Sequence, residues 1–219
     1  FSSNSIVRVE MDSINQNSNL VFTNIPIAGL NNPWSIKLID HAGFIMNNQD
    51  DKIIRIDFNG SYTNSPVVLQ PNVSTGYFNN FGFDVAYDCN NNSYIGFGTS
   101  FAYGTIFKFN FGSSLLNTPT VSTVVTGVYG AQGLQLIKEN GAWHLLMVSN
   151  NNSFYNYSFG SDLNNSPTLL YSNTLNGVLS DPKNIQLFKD GNNWTGLISS
   201  TSSFNIIRIN FPFANQVNN

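Results

Sequence analysis

His41 and His144 are the only histidines in the chain and Cys89 the only cysteine, so imidazole and thiolate chemistry have few possible arrangements. His41 sits in the turn Asp40-His41-Ala42-Gly43, whereas His144 lies inside the apolar run Trp143-His144-Leu145-Leu146-Met147-Val148. Positions this unlike do not converge on a shared metal ion. A lone cysteine allows neither an internal disulfide nor a thiolate metal site within one chain. No G-x-S-x-G or similar local signature assembles a nucleophile with its base, so no catalytic residue is expected. Asp50-Asp51 and Asp88 with Asn90-Asn91-Asn92 offer oxygen ligands of the kind Ca²⁺ takes. They lack the spaced acids and downstream Glu of an EF-hand, and turn formation accounts for them. No cofactor is implied beyond Ca²⁺ at those turns.

Composition narrows the partners. Charged residues make up 10% of the 219 and the formal net charge is −3. A chain with no basic run is not built to track phosphates, so nucleic acid is excluded as a partner. Asn, Ser and Thr supply the polar surface instead, and their side chains suit turns. With 14% aromatic residues, the chain reads as ordered β-structure rather than disorder. No apolar run approaches the length that spans a bilayer, so no membrane insertion is expected. Phe1-Ser2-Ser3-Asn4 has neither a basic n-region nor an apolar h-region; if the protein is exported, its signal has already been removed.

The elements that would position any site are written as a repeat. Phe111-Gly112-Ser113-Ser114-Leu115-Leu116-Asn117-Thr118-Pro119 recurs as F-N-G-S-Y-T-N-S-P from Phe58 and as F-G-S-D-L-N-N-S-P from Phe159. The anchors Met11, Phe58, Phe111, Phe159 and Phe211 are 47, 53, 48 and 52 residues apart, a period that means a propeller or solenoid. Each unit holds four short β-runs joined by tight turns. In the first, Ile54, Ile56 and Phe58 fall on one face and Ile53, Arg55 and Asp57 on the other, which predicts a half-buried strand. No segment has a useful helical period. The expected fold is all-β: a β-propeller of four-stranded antiparallel blades, a single domain over 1–219. It divides into a partial blade at 1–30, blades at 31–79, 80–127 and 128–175, and a partial blade at 176–219. Seventeen strands fit neither four closed blades nor five, and an unclosed ring exposes strand edges. The span is therefore expected to be part of a larger ring.

Within this frame the remaining residues sort by position. Lys37, Asp84, Gln135 and Gln186 occupy the second position of the four first strands and differ while their apolar neighbours do not. Innermost strands line a propeller's channel, so these four are the candidate ligand-binding set, with simple solvation of the channel as the alternative. Arg8, Arg55, Lys108 and Arg208 recur on third strands, but Asn156 breaks the series. They read as repeated ion pairs or a solvated blade face. Trp34, Trp143 and Trp194 could stack on sugar rings; the latter two open second strands at equivalent places, which is a packing pattern.

With Ile53-Ile54-Arg55-Ile56-Asp57-Phe58-Asn59-Gly60-Ser61 and its copies, together with the stretch from Asp181 to Ile198, the chain resembles the roughly fifty-residue, NHL-like propeller repeats of very large secreted Bacteroidetes surface proteins. The resemblance covers nearly the whole chain and brings no catalytic motif. It implies a non-enzymatic binding or display module at the bacterial cell surface or outside the cell, linked to adhesion, gliding motility or type IX secretion, with a protein or glycan as partner. Asp12-Ser13-Ile14 resembles the short O-glycosylation acceptor motif of that phylum, making Ser13 a candidate modification site. The alternatives are a propeller lyase or hydrolase acting at the channel mouth, and a structural part of a secretion or motility assembly.

Overall fold

Turn residues set the strand ends. Asp40 and His41 both adopt positive φ (46° and 64°), as do Asn140 and Gly141 (50° and 81°), the backbone of a two-residue type I′ hairpin. The computed structural model describes residues 5–11, 20–175, 177–191, 193–202 and 205–211, without the side chains of residues 190 and 211. Ser13 lies outside the described residues.

The chain begins with β1 (Ser5–Glu10) and β2 (Val21–Pro26), a two-stranded sheet. Three four-stranded sheets follow: β3 (Pro33–Ile39), β4 (Ala42–Asn47), β5 (Lys52–Asp57) and β6 (Val67–Ser74); β7 (Asn80–Asp88), β8 (Ser93–Ser100), β9 (Thr105–Gly112) and β10 (Thr120–Val125); β11 (Ala131–Glu139), β12 (Ala142–Ser149), β13 (Ser153–Gly160) and β14 (Thr168–Thr174). The last sheet is β15 (Pro182–Asp190), β16 (Asn193–Ser200) and β17 (Asn205–Phe211). Every pairing is antiparallel between neighbours in sequence. No helix occurs among the described residues, so none is long and apolar enough to cross a membrane. First strands pack on first strands, β3 on β7, β7 on β11 and β11 on β15, and the sheets radiate from them. This is a β-propeller.

Apolar clusters sit between successive sheets rather than at one centre. Phe44, Phe83, Phe109 and Phe111 join the sheets beginning at β3 and β7; Phe97, Leu145, Met147 and Phe159 join the next pair. A third strand with a blade on each side, such as β5, is consequently buried on both faces. Ile53 and Arg55 are as inaccessible as Ile54 and Ile56, so β5 is not the half-buried strand its alternation suggested: a blade lies on each side of it. Fourth strands form the rim, and β14 is exposed along its length.

The recurring connector closes each third strand in one way. Phe58, Phe111 and Phe159 are buried, and Phe111 and Phe159 meet equivalent rings of the preceding blade, Phe44 at 5.2 Å and Phe97 at 4.7 Å. The Asn six residues later donates its amide back to the carbonyl of that Phe, Asn64 to Phe58 at 3.0 Å, Asn117 to Phe111 at 2.9 Å and Asn165 to Phe159 at 2.8 Å. Met11, with no preceding blade to cover it among the described residues, is exposed.

Candidate functional site at the central channel

Each first strand carries an irregularity near its start, between Pro33 and Ser35, Asn80 and Phe83, Ala131 and Leu134, and Pro182 and Asn184. The bulge offsets the two-residue alternation, so residues three apart both reach the channel. There the inner strands approach closely: a Cβ on Gly82 would lie 2.2 Å from the Gln132 carbonyl oxygen, and one on Gly133 2.5 Å from the Asn184 Cα.

The four predicted residues converge. Lys37, Asp84, Gln135 and Gln186 line one cavity of about 210 Å³, and three of them are tied to a neighbouring blade. Lys37 Nζ lies 2.6 Å from Asp84 Oδ1. The other oxygen of Asp84 accepts the Leu136 N–H of the next blade at 2.8 Å, while Oδ1 also accepts the Val85 N–H. Gln135 repeats that step one blade on, accepting the Leu187 N–H and donating to the Leu187 carbonyl at 3.3 Å. Gln186 donates to the carbonyl of its own neighbour, Leu187. Asp84 and Gln135 therefore brace successive inner strands, each reaching the residue that follows the equivalent position of the next blade. Asp84, the one carboxylate among the described lining residues, is buried with its charge balanced.

A second ring at the mouth has no counterpart in the sequence reading apart from Trp34. Trp34, Phe81 and Lys183 line the cavity at equivalent positions, and the fourth, Gln132, is buried. Trp34 is 45% exposed and meets Phe81 edge-on at 4.7 Å. Lys183 pairs with Asp181 at 2.7 Å; burial raises the Asp181 pKa, but Lys183 and the Thr201 hydroxyl outweigh it and hold the carboxyl below its usual range. Trp143 is buried and Trp194 donates to Glu139 Oε2 at 2.9 Å, so those two serve packing. The sequence signal for the mouth was the same blade-to-blade variation that marked the channel set; the bulge hid that both fall on one side.

Of the third-strand cations, Arg208 is exposed, whereas Arg8, Arg55 and Lys108 form neither a ring nor a solvated face. Arg8 donates to the carbonyls of Tyr62, Thr63 and Asn64, Arg55 to those of Leu116, Asn117 and Pro71, and Lys108 to the Asn164 side chain. All but the Pro71 contact reach the connector of the following blade. Among the described residues an ion pair accompanies only Arg8 of these cations, with Glu10 at 2.7 Å. Arg55 is 1% exposed, and its burial lowers the guanidinium pKa.

The remaining candidates are local. His41 meets the Tyr62 ring at a tilt and His144 faces Asn156, in different blades. No group of three or more His, Cys, Asp or Glu gathers among the described residues. Asp50 accepts from Asn31, Asn47 and the Lys52 N–H, and Asp51 from Ser74. The Asp88 carboxylate accepts the Asn90 N–H, the Asn91 amide and the Leu163 N–H of the next blade. A larger, mostly apolar hollow of about 460 Å³ lies between β1 and the exposed Ile36 and Leu38 of β3, and shares Trp34, Ser35 and Ile36 with the channel cavity.

No family model matches the sequence, and no curated protein matches it. Among solved structures the chain is similar in fold to the Aleuria aurantia lectin in complex with Fucα1-6GlcNAc (TM-score 0.59, 10% identity, covering 95% of this chain and 68% of that one). It is also similar to a GH43 β-1,3-galactosidase (TM-score 0.56, 9% identity, 91% and 44%) and to an endo-1,4-β-xylanase from Bacteroides thetaiotaomicron (TM-score 0.55, 11% identity, 86% and 76%). The chain spans less than half the length of the galactosidase. At these identities the likeness establishes the propeller.

Proposed function

We propose that this propeller is a non-enzymatic, glycan-binding module of an exported bacterial cell-surface protein. The observation that carries the reading is the channel mouth, where an exposed indole stands edge-on to Phe81 and lines one cavity with Lys183 and the Lys37–Asp84 pair. A sugar presents an apolar face to an aromatic platform and hydroxyls to fixed donors and acceptors, and this mouth offers both. Cell-surface placement rests on the resemblance of the repeat to Bacteroidetes surface proteins. That propellers serve both a lectin and glycoside hydrolases is compatible with this reading and with its rival.

The hydrolase alternative is weaker on the chemistry of the lining. Glycoside hydrolysis generally takes two carboxylates flanking the scissile bond. Here one is present among the described lining residues, and it is neutralised by Lys37 and held by two backbone N–H groups. Calorimetric titration with a panel of glycans and extracellular polypeptides tests the proposal. Trp34→Ala should weaken glycan binding at least tenfold, roughly 1.4 kcal/mol, with unfolding unchanged. Binding only to polypeptides, glycan binding indifferent to Trp34, or release of reducing sugar would overturn it.

A further inference from the structure

The sheet β15–β17 shows on its outer side a face that every complete blade buries. Register identifies the equivalents. Leu197 lies opposite Gln186 and Arg208 as Leu146 lies opposite Gln135 and Asn156. Phe188 and Ile206 then correspond to Ile137 and Phe154. Those three internal residues are 4%, 0% and 3% exposed, covered by Leu179, Ile185, Leu187 and Ile198 of the following blade, whereas Phe188, Leu197 and Ile206 are 44%, 38% and 74% exposed.

Both inter-blade fastenings are unspent on the same face. Gln186 stands where Gln135 grips the next inner strand, but turns to its own neighbour's carbonyl. Arg208 stands where Arg8 and Arg55 reach the carbonyls of the next connector, but is exposed and donates to Asn210 two residues away in its own strand. An apolar patch and two donors, placed as they are at established blade contacts, define a continuation of that interface.

We propose that this face receives one further complete blade of the same repeat, additional to residues 1–219. A second copy of the chain does not fit. Its leading sheet, β1 and β2, has no inner strand among the described residues to accept Gln186 or cover Phe188 and Leu197. Its own β15–β17 face presents another guanidinium where Arg208 needs carbonyls. Asn184 carries a Cβ where Gly82 and Gly133 carry none. Ser35 does the same at the β3–β7 boundary, so a side chain at this position is compatible with a following blade.

The test is to graft the chain's own connector, fourth strand and complete blade, residues 112–175, after Phe211. Hydrogen exchange is then read at Leu187, Leu197 and Ile206, alongside the thermal midpoint. A second graft, residues 59–127, guards against misfolding of one insert. The grafted chain should slow exchange at those amides at least tenfold and raise the midpoint by several degrees. Ile206→Glu should abolish both gains while leaving the ungrafted chain's midpoint within about a degree. Unprotected amides in both grafts would overturn the proposal. So would an Ile206→Glu-sensitive dimer of the ungrafted chain in sedimentation, which would make a second copy the occupant.

Discussion

Replacing Phe111 with Ala removes a ring that is 2% exposed and sits against Phe44 of the preceding blade at 5.2 Å and Phe109 of its own strand at 6.2 Å. Deleting a buried aromatic costs about 3–5 kcal/mol, of which the ring pair accounts for about 0.5–1.5 kcal/mol beyond area. For a chain of this size that is a fall in melting temperature of about 10 °C. Neighbouring blades contact only each other, so unfolding need not be all-or-none. Urea denaturation should be paired with hydrogen exchange, and the loss of protection should centre on β4, β9 and the connector after Phe111. A double-mutant cycle with Phe44→Leu and Phe111→Leu should show coupling, whereas Phe111 with Phe159, in separate interfaces, should be additive. A cost under about 1 kcal/mol, or equal loss of protection in all blades, would refute the reasoning that each closing Phe fastens one particular interface.

Arg55→Ala should cost about 3–5 kcal/mol in urea denaturation, because the carbonyls of Asn117 and Pro71 lose a buried charged donor; Arg55→Lys should recover part of it, as Lys108 serves the equivalent position. Gln135→Ala should cost about 1–2 kcal/mol and speed amide exchange at Leu187, while Gln186→Ala stays within about 0.5 kcal/mol. For Asp88, burial raises the pKa, but the N–H groups of Leu163 and Asn90 and the Asn91 amide outweigh it and hold the value below the usual 3.8. A carboxyl depressed on folding contributes stability that is present above its unfolded pKa and lost as pH falls through the folded value. Asp88→Asn should therefore flatten the acid limb of the stability curve below about pH 4 and leave its shape above pH 5 unchanged.

The propeller was legible because its evidence is repetition: Phe, Asn and Pro at fixed offsets need no knowledge of contacts. The channel set was legible for a related reason, since Lys37, Asp84, Gln135 and Gln186 vary where neighbours do not. What those side chains hold was not legible. Asp84 and Gln135 grip backbone groups of the next inner strand, and a backbone acceptor leaves no complementary residue type in the sequence. The same is true of Arg55, which reads as half of an ion pair until the carbonyls of Asn117 and Pro71 are seen. Burial of Ile53 and Arg55 on the second face of β5 came from the adjacent blade, which strand alternation does not register. Phe81 and Lys183 were missed because a bulge offsets the count between them and the channel residues.

Backbone-directed fastening also bears on how such a chain can lengthen. Because Gln135 asks of the next unit a peptide group rather than a matched partner, a copied unit inserted in phase would be gripped at once, with no compensating substitution elsewhere. A tandem duplication of some fifty codons would then yield a folded intermediate immediately. Channel-mouth residues such as Trp34 and Lys183 would remain free to diverge from one copy to the next.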